Sequence, residues 1–205
     1  MSLISAIEER RSYYVINNQC DITQDQVADL TKNVLKHVPS MFNMQSTRII
    51  VLFGDHHRKL WDLVIASLSQ EILQKKPNVA HEHFSKVIDK LRSLQNGFGT
   101  LLFFEDSQSI EDTIKKYPAY EDKFDTWAVQ SSAIAQYAIW LAFTNLSPRI
   151  GMTLQHYYPD KEEMNRIWNI PEGWKMTGQM PFGSIIEQPK EKTFKSPEDL
   201  MKVFV

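Results

Sequence analysis

Three short stretches hold polar residues in patterns that could do chemistry. The first is RRSYY, 10–14. Adjacent guanidinium forks grip a phosphate in bidentate fashion, and Ser12 adds a hydroxyl. The same Arg10 and Arg11 would also complement the negative end of a preceding helix. The second is PSMFNMQSTR, 39–48, where Ser40, Asn43, Gln45 and Thr47 supply donors and acceptors. A plain connection needs only about two to six small or turn-forming residues. Turn chemistry uses these residue types too, but unpaired amides at Asn43 and Gln45 would be costly if buried. The third is LQHYYP, 154–159, where Gln155, His156 and Tyr157 stand together at the end of a strand-like run. Side chains and backbone N–H groups at such a point can meet the heteroatom edge of a ring. A histidine there can equally be a satisfied core residue.

Other chemistries find little support. No GxSxG, HExxH, GxGxxG or Walker pattern is present, and Cys20 sits in a polar loop with no partner nearby in sequence. His81 and His83 are two apart, a spacing that does not share a helix face, so no metal site is expected. His56 and His57 read as a solvated turn. Trp61, Trp127, Trp140, Trp168 and Trp174 read as core rather than as a base-stacking platform.

The chain of 205 residues is 42% hydrophobic, has a net charge of −2 and contains one cysteine. It fits one domain with a real core. The near-neutral charge gives no broad footprint for nucleic acid. One cysteine precludes an internal disulfide. MSLISAIEERRSYY also lacks the apolar core of a targeting segment, so a reducing compartment, the cytoplasm, is expected. Residues 126–146 are almost long and apolar enough to span a bilayer. Gln130, Ser131, Ser132, Gln136 and Asn145 instead mark a buried helix, and no membrane partner is expected.

The elements that must position these stretches follow from periodicity. A short helix is expected over 2–11, with Leu3, Ile4 and Ile7 on one side. Thr23 and Gln26 form a capping box for a second helix ending at Pro39. Arg48–Phe53 reads as a buried strand and 60–73 as a third helix closed by Pro77. A fourth helix carries Phe84, Val87, Ile88, Leu91 and Leu94. GTLLFFED, 99–106, reads as a second buried strand, followed by a short helix capped by Ser109 and Asp112. A long helix spans 124–146, with small residues that admit a neighbour at close range. GMTLQ, 151–155, reads as a third strand, Asp160 caps a helix to Trp168, and 175–186 is a fourth strand interrupted by Pro181. The expected fold class is α+β, in one domain over 1–205 with a C-terminal arm at 190–205.

Taken in order, RRSYY, PSMFNMQSTR, GTLLFFED, WAVQSSAIAQYAIWLAF, LQHYYP and WKMTGQMPFG resemble the nitroreductase family of FMN flavoproteins over nearly the whole chain. The compact branch of fatty-acid repression mutant-type oxidoreductases is the most similar. The resemblance implies a mostly antiparallel central sheet flanked by helices, in an intertwined homodimer whose C-terminal arms exchange. It also implies two FMN molecules at the dimer interface. Arg10, Arg11 and Ser12 would hold phosphate and ribityl chain. Ser40, Asn43 and Gln45 would reach the FMN of the other subunit, and Gln155 and His156 would face the N5–O4 edge. NADH or NADPH would deliver hydride, and an electron-poor small molecule such as a nitroaromatic or quinone would accept it. No catalytic side chain is required, because FMN N5 carries the hydride.

Three positions depart from the family pattern: Gln95, Arg149 and Leu200 stand where Lys, Gly and Arg would be expected. Lys90 or Arg92 would then supply charge near flavin N1, and Lys202 would replace the tail cation. A flavin-binding module for storage or redox signalling, with little turnover, is the alternative reading of these departures. A helical interaction protein that kept the scaffold without the flavin is the third.

Overall fold

The computed structural model describes residues 2–75 and 81–205, the side chains of 74, 75 and 81–83 excepted. Pro77 and the side chains of His81 and His83 lie outside the described residues. In chain order the elements are α1 (Leu3–Glu9), β1 (Ile16–Asn17), α2 (Gln24–His37), β2 (Thr47–Phe53), α3 (Gly54–Lys75) and α4 (His81–Gln95). They continue with β3 (Gly99–Asp106), α5 (Ser107–Lys116), α6 (Phe124–Leu146), β4 (Ile150–Met152), α7 (Lys161–Trp168), β5 (Trp174–Ile185) and α8 (Pro197–Leu200). Single 3-10 turns lie at Met41–Asn43 and Pro118–Lys123.

All named strand pairs are antiparallel. β5 is the hub: it pairs with β3, with β4 and with β1, and β2 lies outside β3. Alternation along β3 builds the layers. Leu101 and Phe103 pack with Ile139, Trp140 and Phe143 of α6 and Val27 of α2. Leu102 and Phe104 pack with Leu60, Trp61 and Val64 of α3 and Leu91 and Leu94 of α4. The sheet is therefore covered by helices on both faces, which is why GTLLFF is a continuous apolar run and not an alternating one. Burying each of these large side chains contributes about 1.5–3 kcal/mol.

The Thr23–Gln26 capping box forms in both directions, and Asp160 accepts from the Glu163 N–H at 2.8 Å to start α7. Several boundaries differ from expectation. α1 stops at Glu9 because Arg10 leaves the helical region, with φ −61° and ψ 118°. The cap of α5 is Asp106, which accepts from Gln108, in place of Ser109 or Asp112. β2 is only partly buried, since it lies at the end of the sheet path. It runs directly into α3 through Gly54, whose φ of +54° suits a residue without Cβ. The third strand is shorter than predicted: β4 ends at Met152, and only a single bridge, Gln155 to Gln179, follows. β5 continues through Pro181, whose carbonyl accepts from the Thr153 N–H at 3.2 Å. Its irregularity comes earlier, where Phe103 faces Gly178 and Phe104 faces Met176, leaving Thr177 as the extra residue.

His56 and His57 are not a solvated turn. Both lie in α3, and His57 is 1% exposed. Its Nε2 faces the Gln95 carbonyl at 3.0 Å and its Nδ1 faces Thr100 Oγ1 at 2.8 Å. The carbonyl can only accept, so Nε2 carries the proton and Nδ1 accepts from the Thr100 hydroxyl. That hydroxyl in turn accepts from Trp61 Nε1 at 3.0 Å. Burial pushes the His57 pKa down to about 4.

Candidate functional site

Extended backbone at Arg10 lets RRSYY leave α1 and run beside β4. Ser12 bridges Met152 in parallel, and the Tyr13 N–H donates to the Met152 carbonyl at 3.2 Å. Gly151 makes this approach possible, because a Cβ there would lie 2.6 Å from the Tyr13 Cβ. Residues 10–14 are thereby set next to 152–157. The Arg10 guanidinium lies 4.6 Å from the centre of the Trp140 ring, a cation–π contact that fixes its direction. Arg11 donates to the Lys190 carbonyl and ties the segment after β5 to the same place. A cavity of about 560 Å³ results, lined by Arg10, Arg11, Ser12, Tyr14, Lys190 and Lys192 with Glu187 among them.

Lys90 of α4 reaches the same two segments. Its Nζ donates to the Tyr157 hydroxyl at 3.2 Å and stands 4.9 Å from the Tyr157 ring and 5.6 Å from that of Tyr14. Gln155 is buried. Its backbone exchanges two hydrogen bonds with Gln179, and its Nε2 donates to Thr153 Oγ1 at 3.1 Å and to the Leu154 carbonyl at 2.7 Å. His156, the next residue, is exposed. Gln179 Nε2 holds the following turn through the Tyr157 carbonyl at 2.6 Å.

The amide-rich loop forms a second surface. Phe42, Asn43 and Gln45 all have positive φ, at 52°, 53° and 49°. Each such residue costs on the order of 1–3 kcal/mol and persists only when its surroundings over-determine it. Here they do. Phe42 stacks on Tyr117 with ring centres 4.4 Å apart, Met44 is buried against Ile110, Phe124 and Ala128, and Ser40 Oγ accepts from the Gln45 N–H at 2.9 Å. Arg48 donates to the Gln45 carbonyl at 2.7 Å. Asn43 and Gln45 are exposed, so they escape the penalty of buried unpaired amides. Ser40 and Gln45 line a cavity of about 430 Å³ with Thr47, Ser131 and Trp174. Within one chain, the residues lining this cavity and those lining the Arg10–Ser12 cavity do not overlap.

Two acids behind this loop were visible in sequence only as the end of a strand. Glu105 is 3% exposed and accepts from Ser46 Oγ and, at 2.6 Å, from Thr47 Oγ1. Burial pushes its carboxyl above the usual range, against the hydroxyl bonds and the nearby Arg48. Asp106 pairs with Arg48 at 2.7 Å and also accepts from Ser109. The available signal was the Ser-Thr-Arg triplet of one strand facing the Glu-Asp end of the other. Lys190 and Lys192 were likewise missed, though a Lys-x-Lys just after an apolar strand marks a cationic rim.

The three departures settle into local structure. Gln95 Nε2 donates to the Arg58 carbonyl and to Asp62, tying the end of α4 to α3 at the surface. Arg149 keeps an ordinary negative φ and pairs with Asp21 at 2.5 Å, which holds the Asp21 carboxyl below its usual range. Leu200 and Lys202 are exposed on the tail. Burial raises the pKa of the half-buried Cys20, so its thiol is not activated. Among the described residues no three His, Cys, Asp or Glu side chains form a metal-binding group, and no helix is long and apolar enough to cross a membrane.

Two guanidiniums, two ammoniums and a hydroxyl line one cavity, with the Glu187 carboxylate among them, and cations and hydroxyls are the donor types that bind anionic oxygens. The nitroreductase family model matches residues 7–184. Putative nitroreductase HBN1 of Saccharomyces cerevisiae is 28% identical over 200 residues, covering 93% of this chain and 92% of that protein. Nitroreductase CinD from Lactococcus lactis, solved in complex with nicotinic acid, is 32% identical, with a TM-score of 0.86 and full coverage of both chains. CinD has also been solved with chloramphenicol and with 4-nitrophenol. A nitroreductase with bound FMN from Desulfitobacterium hafniense shares the fold at a TM-score of 0.71 and 16% identity, covering both chains fully.

Proposed function

The chain belongs to the nitroreductase family, and from that premise we propose that it is an FMN-dependent NAD(P)H oxidoreductase. Its acceptors would be nitroaromatics, quinones or similar electron-poor small molecules. The observation that carries this reading is the convergence of RRSYY, Lys90 and residues 152–157, joined by the Ser12–Met152 bridge and by Lys90 against Tyr14 and Tyr157. The FMN-bound relative and the 4-nitrophenol complex of CinD support the cofactor and the acceptor class.

FMN, when bound, supplies the redox chemistry, taking hydride from the nicotinamide donor and passing two electrons to the acceptor. The chain's part is to bind and orient. Arg10, Arg11 and Ser12 would hold the phosphate, with Lys190 and Lys192 on the same rim. Lys90, held against the rings of Tyr14 and Tyr157, would supply a positive charge to offset the negative charge of a reduced ring. Gln155 and His156 would stand beside the ring's heteroatom edge. Ser40, Asn43 and Gln45 complete the site of a second copy of the chain.

This last assignment requires a homodimer. Val129, Ile134 and Tyr137 on α6, and Leu3, Ile4 and Ile7 on α1, are exposed in the single chain. So are Phe194, Leu200, Met201, Val203 and Phe204 of the tail. Apolar surface on this scale marks an interface. We assign it to the two-fold contact and to arm exchange by residues 190–205, in a cytoplasmic enzyme.

The test is an absorbance spectrum of purified protein incubated with FMN and desalted, then reduced anaerobically by NADH or NADPH. Flavin bands that persist and then bleach support the enzyme. Bands that persist without bleaching would favour storage or signalling, and no retained flavin would reject the cofactor. Arg10→Ala with Arg11→Ala should weaken FMN binding by about 2 kcal/mol through lost charge-assisted bonds. Unchanged affinity would place the phosphate elsewhere.

A further inference from the structure

Glu105 is a buried acid whose direct partners are hydroxyls, not a cation. Ser46 and Thr47 both donate to it, and Thr47 is also its register partner across β2 and β3. The charged groups around it are Arg48 on β2, Asp106 beside it on β3 and the exposed Lys175 opposite it on β5; Ser132 of α6 supplies a neutral hydroxyl. A core strand could end on any apolar residue at far lower desolvation cost. What this acid holds is the base of the loop in which Phe42, Asn43 and Gln45 take left-handed backbone angles. Its neighbour Asp106 fixes Arg48, which grips the Gln45 carbonyl, and the Asp106 N–H donates to the Ser46 carbonyl at 2.9 Å.

We propose that Glu105 is the positioning residue for Asn43 and Gln45. Its carboxylate, acting through Ser46 and Thr47, holds the loop in the backbone shape that presents both amides to a flavin bound by a second copy of this chain. The inference rests on the function proposed above. Both hydroxyls spend their single proton on the carboxylate, so their rotors and the backbone that carries them are set together. Losing the charge frees at least one hydroxyl to turn, and the loop, already in disfavoured angles, relaxes. The amides then search for the flavin instead of meeting it in place.

The experiment is a double-mutant cycle read by FMN fluorescence titration of apoprotein, with thermal midpoints measured alongside. Glu105→Gln should lower FMN affinity about tenfold in the wild-type background. In an Asn43→Ala, Gln45→Ala background it should cost less than about twofold, because the groups it positions are gone. If Glu105→Gln fails to fold, Ser46→Ala with Thr47→Val removes the same two bonds from the loop side and replaces it in the cycle. Equal losses in both backgrounds, or no loss in either, would overturn the proposal and leave Glu105 a structural residue. Wild-type protein that binds no FMN would instead overturn the flavin reading, and this role with it.

Discussion

Strand β3 carries a buried polar residue near each end, and the two ends behave differently. At one end the Thr100 hydroxyl joins His57 and Trp61, with the Gln95 carbonyl closing the chain of bonds. Donors and acceptors match, no net charge is buried, and everything held is itself in the core. At the other end Glu105 holds Ser46 and Thr47, which carry an exposed loop with three left-handed residues. Both are buried polar networks, and both would be costly to break. Burial alone does not mark function. The distinguishing feature is what the network holds: a closed neutral set stabilises the core, whereas a buried charge bracing a strained surface loop shapes a binding surface.

The largest effect expected from this contrast is at Thr100. Thr100→Val removes the one hydroxyl that serves both His57 and Trp61, leaving two buried groups without their partner. At roughly 1–3 kcal/mol for each, the loss should be about 4 kcal/mol of folding stability by denaturant titration. FMN affinity per folded molecule should not change. A stability loss matched by a loss of flavin affinity would erase the distinction between the two ends.

Acid titration separates the same two groups by sign. The His57 pKa of about 4 lies below the ordinary 6.5. Between those values the unfolded chain binds a proton that the folded chain refuses, so stability is full above about pH 6.5 and falls as pH drops toward 4. The loss is about 3 kcal/mol at 1.36 kcal/mol per pH unit. Glu105 has the opposite sign. Its pKa is raised, so the folded chain holds a proton that the unfolded chain releases, and that contribution is lost as pH rises above the ordinary glutamate range. The two slopes partly cancel in the wild type. Glu105→Gln should therefore make the rise in stability from pH 4 to 6.5 steeper, and His57→Gln should flatten it. Unfolding titrations at half-unit pH steps would show both changes.

How much of this was legible in sequence follows from the range of the interactions. Capping at Thr23 and Asp160, the two-faced burial of GTLLFF and the length of α6 depend on neighbours a few residues away, and periodicity shows them. His57 was misread because a His-His pair looks polar until the Gln95 carbonyl and Thr100, 38 and 43 residues on, are placed beside it. Glu105 and Asp106 were seen only as punctuation, since their partners lie on the preceding strand and only the β2–β3 register brings them together. The family resemblance supplied Arg10–Ser12 and the amide loop in order. It did not supply the physical devices that set them, such as Gly151 beneath Tyr13 or Trp140 beneath Arg10. The exposure of Asn43 and Gln45 was hidden too, because left-handed geometry at Phe42 has no local signal in a bulky residue.

Phe42 gives the smallest and sharpest test on the loop side. Its φ of 52° is unfavourable for a side chain with Cβ, and the residue is 41% exposed while its ring stacks on Tyr117. Phe42→Gly removes both features. Relief of backbone strain, about 1 kcal/mol, offsets loss of a half-exposed aromatic contact worth about 0.5–1.5 kcal/mol. Folding stability should stay within about 1 kcal/mol of wild type. The loop itself, with glycine where an anchored ring had been, should become freer, and FMN should bind several-fold more weakly. Stability and affinity would then separate in the direction opposite to Thr100→Val. If instead Phe42→Gly destabilises the fold and spares the flavin, the aromatic platform belongs to the core after all, and the rigidity of Asn43 and Gln45 has to come from Glu105 and Arg48 alone.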